Sequence, residues 1–257
     1  MLIRTIHHQA ATGGTLISKF ISCMNKNRLV SEVNPLGPFT GGIFFEPTGL
    51  LSQYSKQYGR PDYEKLLQHF SDQLKIVCNI SEETQTNLTL RDHNHNEYMS
   101  KELHNNGRPL IDGVNFYKKL WNLDLTTRSI VTVRHPLDSY LGCLSKGWVK
   151  KIDESLDTYS ARYLKFLDDY SEMPIFKYED ICSDPIEKMT EICTYLEIPF
   201  DPDFVNKFHT VRLTGDSGRT STDIGLKPRR DIPEQVKMQI ETADHYIKLC
   251  ERLNYTS

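Results

Sequence analysis

The sequence predicts an α/β fold, a mostly parallel central sheet with helices on both faces, carried by one domain spanning residues 1–257. Three observations predict it. Strand-like segments alternate with helical ones along the chain, as in successive βαβ units. The segment SIVTV, residues 129–133, is short, β-branched and continuous, as a buried parallel strand is. The opening stretch LIRTIHHQAATGGTLISKF, residues 2–20, reads as strand, small-residue turn and helix start.

In the opening stretch, Leu2 to Ile6 alternate apolar with polar or basic side chains, and Leu16, Ile17, Phe20, Ile21 and Met24 repeat at helical spacing. Leu29–Val33 is a second strand. Residues 34–51, NPLGPFTGGIFFEPTGLL, form a long Pro-, Gly- and Phe-rich loop, either a binding loop or a packed surface loop. Pro61 and Asp62 open a helix with Tyr63, Leu66, Leu67, Phe70, Leu74 and Val77 on one face. Residues 86–92, TNLTLRD, are a third strand, and Asp112 caps a helix carrying Phe116 and Leu120.

After the SIVTV strand, Pro136 suits a first helical turn, with Leu137, Tyr140, Leu141, Leu144 and Trp148 as its apolar stripe. The next helix carries Leu156, Tyr159, Tyr163, Leu167 and Tyr170, and PIFKY, residues 174–178, is a fifth strand. Asp184, Pro185 and Glu187 make a capping-box start for a helix burying Met189, Ile192, Cys193 and Leu196. Residues 209–233 are a long polar loop. A terminal helix from Pro233 then carries Val236, Ile240, Ala243, Ile247 and Cys250, a stripe that packs either on its own domain or on a partner copy in a homodimer.

Composition narrows the function. A formal charge of −3 with mixed signs carries no polyanion-binding signature, which argues against nucleic acid as partner. The six cysteines include no C-x-x-C pair, so they read as reduced, mostly buried thiols of a cytoplasmic protein. A strand beginning almost at Met1 argues against a signal peptide, and no apolar run reaches membrane-spanning length.

Ligands of such sheets bind beyond the carboxyl ends of the strands. There the sequence places His7, His8 and the Gly13–Gly14 turn, then Arg91, Asp92 and His93, then Arg134, then Tyr178, Glu179 and Asp180. Free N–H groups at a helix start attract phosphate or sulfate, and glycines let the backbone approach it. The turn lacks the Lys of a Walker A loop, and SIVTV ends in Arg134 rather than an acid that would help hold Mg²⁺. A nucleotide held by protein cations and amides without metal fits better. Asp92 supports the competing reading, a metal-dependent P-loop phosphotransferase.

Four segments, in order, resemble the sulfotransferases that use 3′-phosphoadenosine 5′-phosphosulfate, with this chain a divergent, bacterial-like member. QAATGGTLI resembles the 5′-phosphosulfate loop. LRDHNH resembles the strand end bearing the family's catalytic His, and TVRHPLDSYLG the 3′-phosphate strand and helix. FKYEDICSDPIEKMTEICTYLEIPF resembles the later Tyr-Glu-Asp strand and its capped helix.

The resemblance implies that family's P-loop-like architecture and the phosphosulfate nucleotide as co-substrate. It implies that Thr12, Gly13, Gly14, Thr15 and Leu16 hold the 5′-phosphosulfate, and that His93 takes a proton from the hydroxyl or amine of a small-molecule or glycan acceptor. Arg134 binds the 3′-phosphate beside Gly142, Tyr178 lies near the adenine, and Gly218 and Arg219 close over the 3′-phosphate. Two positions depart from the pattern. Ala11 stands where the family commonly has a Lys or Arg that steadies the leaving oxygen, with His8, Lys19, Arg91 or Arg219 as possible substitutes. Gly142 stands where the family usually has a Ser. A non-catalytic nucleotide-binding protein is the third reading, supported by those two departures.

Overall fold

The computed structural model describes residues 2–33, 63–93, 98–99, 126–152, 155–215 and 222–257. Within them, β1 (Leu2–His8), β2 (Asn27–Val33), β3 (Asn87–Asp92), β4 (Thr126–Val133) and β5 (Ile175–Lys177) form one parallel sheet in the order β2-β3-β1-β4-β5. β1 sits at the centre, with Ile6 in register with Arg91 on one side and Ile130 on the other. The chain crosses from one side of β1 to the other between β3 and β4, so the carboxyl end of β1 opens at a switch point.

The helices are α1 (Gly14–Ser22), α2 (Tyr63–Glu83), α3 (Pro136–Ser145), α4 (Leu156–Asp169), α5 (Tyr178–Ser183), α6 (Pro185–Leu196), α7 (Phe204–Lys207), α8 (Glu234–Ile240) and α9 (Asp244–Leu253). Strand alternation sends Ile6 and Ile130 into a core shared with α1, α6 and α7. Val131 and Val133 enter another with α3, α4 and α9. In the first core the Phe20 ring meets Phe204 at 4.9 Å and Phe208, edge-on, at 5.2 Å. Each such fully buried side chain contributes about 1.5–3 kcal/mol, which ties α1, and the turn before it, to a rigid support.

Most expected elements form, with two informative differences. The fifth strand stops at Lys177, and Tyr178 instead begins α5. The terminal helix is two helices, because Asp157 of α4 interrupts it. Its Oδ1 accepts from the His245 amide at 2.8 Å and its Oδ2 from His245 Nδ1 at 2.7 Å, so α9 starts afresh there. The apolar stripe across α8 and α9 packs against α3 and α4 in the core that also takes Val131 and Val133. Asp184 caps α6 as expected, its Oδ1 accepting from the Glu187 amide at 3.0 Å.

All six cysteines are free thiols, and burial pushes Cys78, Cys143 and Cys193 up to about 12, so they stay protonated and inert. Among the described residues no helix is long and apolar enough to cross a membrane. The 34–51 loop, the Asp112 helix, Gly218 and Arg219 lie outside the described residues.

Candidate functional site

The β1–α1 turn is shaped to expose amides. Gly13 takes φ +91°, and α1 has neither a side-chain cap nor an acid in its first turn. Thr12 staples the turn, its hydroxyl donating to the Gln9 carbonyl at 2.7 Å, and Leu16 donates its amide to the Gly13 carbonyl at 2.9 Å. Among the described residues the amides of Gly13, Gly14 and Thr15 meet no acceptor. These donors, at the positive end of the helix dipole, make an anion cradle. Thr12 and Leu16 therefore shape the cradle, while Gly13, Gly14 and Thr15 present it.

Side chains close the cradle on two sides. A Cβ on Gly14 would fall 2.4 Å from His8 Cδ2, and one on Gly13 would fall 2.3 Å from Tyr178 Cδ2. Both glycines are required by these rings, and Gly13 also by its left-handed backbone. Over the Tyr178 ring lies the Arg134 guanidinium, 4.8 Å from the centroid. Among the described residues, buried Arg134 Nε has no hydrogen-bond partner. An orphaned donor on a cation beside an amide cradle is what a second bound anion would satisfy.

The helix after Arg134 adds less than its position suggests. His135 caps α3 with its own side chain, Nδ1 accepting from the Leu137 amide at 3.3 Å. Its Nε2 donates to the Thr256 carbonyl at 3.1 Å, which fixes that tautomer, and burial lowers its pKa. Glu179 explains the Tyr-Glu-Asp segment: its Oε1 accepts from the His135 amide at 3.0 Å, and its Oε2 from the Tyr255 hydroxyl at 2.6 Å.

Ala11 and Gly142 are a matched pair. A Cβ on Gly142 would lie 3.0 Å from Ala11 Cβ and 3.7 Å from Arg230 Nη1. Ala11 itself has φ +62°. The two departures from the family pattern are thus one steric fit between α3 and the turn, with Arg230 beside it. Behind the turn, the Tyr159 hydroxyl donates to the Ala10 carbonyl at 3.4 Å.

On the α1 face of the sheet, Arg91 joins the turn to the β3 end. Its Nε donates to His8 Nε2 at 2.8 Å and its Nη2 to Thr15 Oγ1 at 3.3 Å, while Glu32 Oε1 holds Nη2 at 2.8 Å. Glu32 Oε2 lies 2.8 Å from His93 Nε2. His8 donates from Nδ1 to the Gln9 carbonyl at 3.1 Å and accepts on Nε2, so it is neutral. Burial, and then Arg91, hold its pKa well below the ordinary value. His8 is therefore no substitute for the missing loop cation, whereas Arg91 is a cation in contact with the loop.

The other face is structural. His7 and Asp92 alternate away from Arg91 and are fully buried, His7 Nδ1 lying 2.8 Å from Asp92 Oδ2. Tyr170 donates to the same oxygen at 3.2 Å. Asp92, the residue on which a metal-dependent reading leaned, thus faces α4 rather than the turn.

Gly13, Gly14, Thr15, Arg134, Gly142 and Tyr178, expected at one edge of the sheet, lie about the β1–α1 turn. His93 joins them through Glu32 and Arg91. No sequence pattern marks Glu32 or Arg230.

No protein-family model matches the sequence, and no curated protein matches it. Solved structures do match. The sulfotransferase domain from the Synechococcus PCC 7002 olefin synthase is similar at a TM-score of 0.60 and 16% identity, over 100% of this chain and 96% of that one. The sulfotransferase domain from the curacin biosynthetic pathway is similar at 0.53 and 16%, over 98% of this chain and 97% of that one. The chain has the sulfotransferase fold.

Proposed function

We propose that the protein is a sulfotransferase that moves a sulfuryl group from 3′-phosphoadenosine 5′-phosphosulfate to a hydroxyl or amine of a small-molecule or glycan acceptor. The observation that carries this reading is the pairing of two unsatisfied donor sets. The turn that carries the open amides of Gly13, Gly14 and Thr15 abuts the Tyr178 ring at Gly13, and the guanidinium of Arg134, whose Nε is orphaned among the described residues, lies over the same ring. That arrangement suits a nucleotide anionic at two separated positions.

The amides receive the 5′-phosphosulfate and Arg134 the 3′-phosphate, as paired guanidinium donors suit phosphate oxygens. Tyr178 offers its ring near the adenine. For Gly218 and Arg219, outside the described residues, the assignment to the 3′-phosphate rests on the resemblance alone. Arg91 stands in for the loop cation replaced by Ala11 and neutralises charge on the leaving phosphate oxygen. His93 is the general base. The reaction needs no metal: amides, Arg91 and Arg134 supply the positive field. We place the protein in the cytoplasm, acting without nucleic acid or membrane.

The test is transfer of sulfur-35 from labelled donor to a panel of phenols, alcohols, amines and glycans. Labelled product with at least one acceptor, abolished by His93→Ala, is the expected result. Ala11 favours a second reading, nucleotide binding without transfer, and product binding with no labelled acceptor across the panel would select it.

A further inference from the structure

Glu32 breaks the rules of its strand. Val30 is 40% exposed while Glu32, two residues on and of like parity, is 3% exposed. The β2–β3 register shifts between Val30 and Val33, and Glu32 takes φ +61°, a conformation that side-chain-bearing residues rarely adopt. The bulge turns a carboxylate into the interior. Such an outlier persists where its surroundings over-determine it.

They do so here. Thr214 donates its hydroxyl to the Ser31 carbonyl at 2.9 Å, and Ser31 donates back to the Thr214 carbonyl at 3.0 Å. These bonds lay Gly215 directly on Glu32, where a Cβ would fall 2.3 Å from Glu32 Cδ. The carboxylate is then divided between Arg91 Nη2 and His93 Nε2, each at 2.8 Å.

We infer that Glu32 is a positioning residue that fixes which nitrogen of His93 accepts the proton. An ionised carboxylate only accepts hydrogen bonds, so His93 Nε2 must carry a hydrogen. In the neutral ring the lone pair therefore sits on Nδ1. Resting on the proposed sulfuryl transfer, the step balances as follows. The acceptor oxygen forms a bond to sulfur, and the bond from sulfur to the phosphate oxygen breaks with its electron pair left on that oxygen. The acceptor's proton passes to His93 Nδ1. The imidazolium then faces a carboxylate already in place, as the orienting acid does in other base dyads.

The inference is tested on the full chain with ¹⁵N-labelled histidine, by two-bond ¹H–¹⁵N correlation near pH 9, above the ordinary imidazole range. His93 is assigned from the signal missing in His93→Gln. The native protein should show the Nε2–H tautomer. In Glu32→Gln the amide oxygen stays on Arg91, which only donates, and the amide NH₂ turns to His93 Nε2. The tautomer should reverse to Nδ1–H, with affinity for adenosine 3′,5′-bisphosphate changed less than about threefold. A native Nδ1–H signal overturns the inference without any variant, and so does an unchanged tautomer in a folded Glu32→Gln. Loss of bisphosphate binding by the native protein overturns the sulfotransferase reading instead, and the tautomer result stands apart from it.

Discussion

Replacing Gly13 with Ala tests the cradle where backbone and side chain meet. The new Cβ would lie 2.3 Å from Tyr178 Cδ2, 2.8 Å from Cε2 and 3.1 Å from Cγ, at a residue with φ +91°. Carbon atoms settle at about 3.5–4.0 Å, so the ring must withdraw by about 1 Å. Tyr178 is 4% exposed and packed in the core, so it has little room to do so. The left-handed backbone costs about 1–2 kcal/mol and the overpacking about 1–3 kcal/mol. A stiffer unfolded chain offsets about 0.4–1 kcal/mol.

The net loss is about 2–4 kcal/mol, or a fall in Tm of about 4–16 °C for a chain of this size. Gly147→Ala is the internal control. It also has positive φ, +66°, but its nearest neighbour, Lys150 Cδ, is 3.9 Å away. The difference between the two variants in urea denaturation isolates the ring clash, about 1–3 kcal/mol. Gly13→Ala should also weaken bisphosphate binding, because the displaced ring carries Arg134. A Gly13→Ala protein as stable as Gly147→Ala, with native affinity, would refute the reasoning.

Three further outcomes follow from single contacts. Arg134→Ala should weaken adenosine 3′,5′-bisphosphate by about 2–5 kcal/mol in calorimetry, and an unchanged affinity would remove Arg134 from the site. His93→Ala should bind the bisphosphate within about threefold of native yet transfer no labelled sulfur, since a base acts on the acceptor's proton; retained transfer would reassign the base. Buried His8, with its pKa lowered well below 6.5 mainly by desolvation, binds its proton more readily in the unfolded chain. Native stability should therefore fall as pH drops below 6.5, by about 1.4 kcal/mol per unit from this group. His8→Gln should remove that slope in urea melts at stepped pH, and an equal slope in both proteins would contradict the assignment.

Much of this architecture was legible in the sequence because it rests on local rules. Apolar period marked β1, α1, β4 and α4, and Asp184 with Pro185 announced α6 through cap chemistry. The turn at Gly13–Gly14 was readable because a strand feeding a helix through glycines has few other uses. What escaped depends on contacts distant in sequence. Glu32 reads as an outward residue of an edge strand, and nothing local announces a bulge that is held by Thr214 and Gly215 from far along the chain. The break between α8 and α9 depends on Asp157, a residue of another helix. The Ala11–Gly142 fit is likewise invisible until α3 is laid against the turn; in the sequence it shows only as two separate departures from a pattern.

Calorimetric titration with adenosine 3′,5′-bisphosphate, run beside ATP with Mg²⁺, tests the paired-anion site most directly. The account predicts one saturable site for the bisphosphate, at least about tenfold tighter than ATP with Mg²⁺ and lost in Arg134→Ala, a difference of about 1.4 kcal/mol or more. Saturation by ATP with Mg²⁺ and none by the bisphosphate would contradict it.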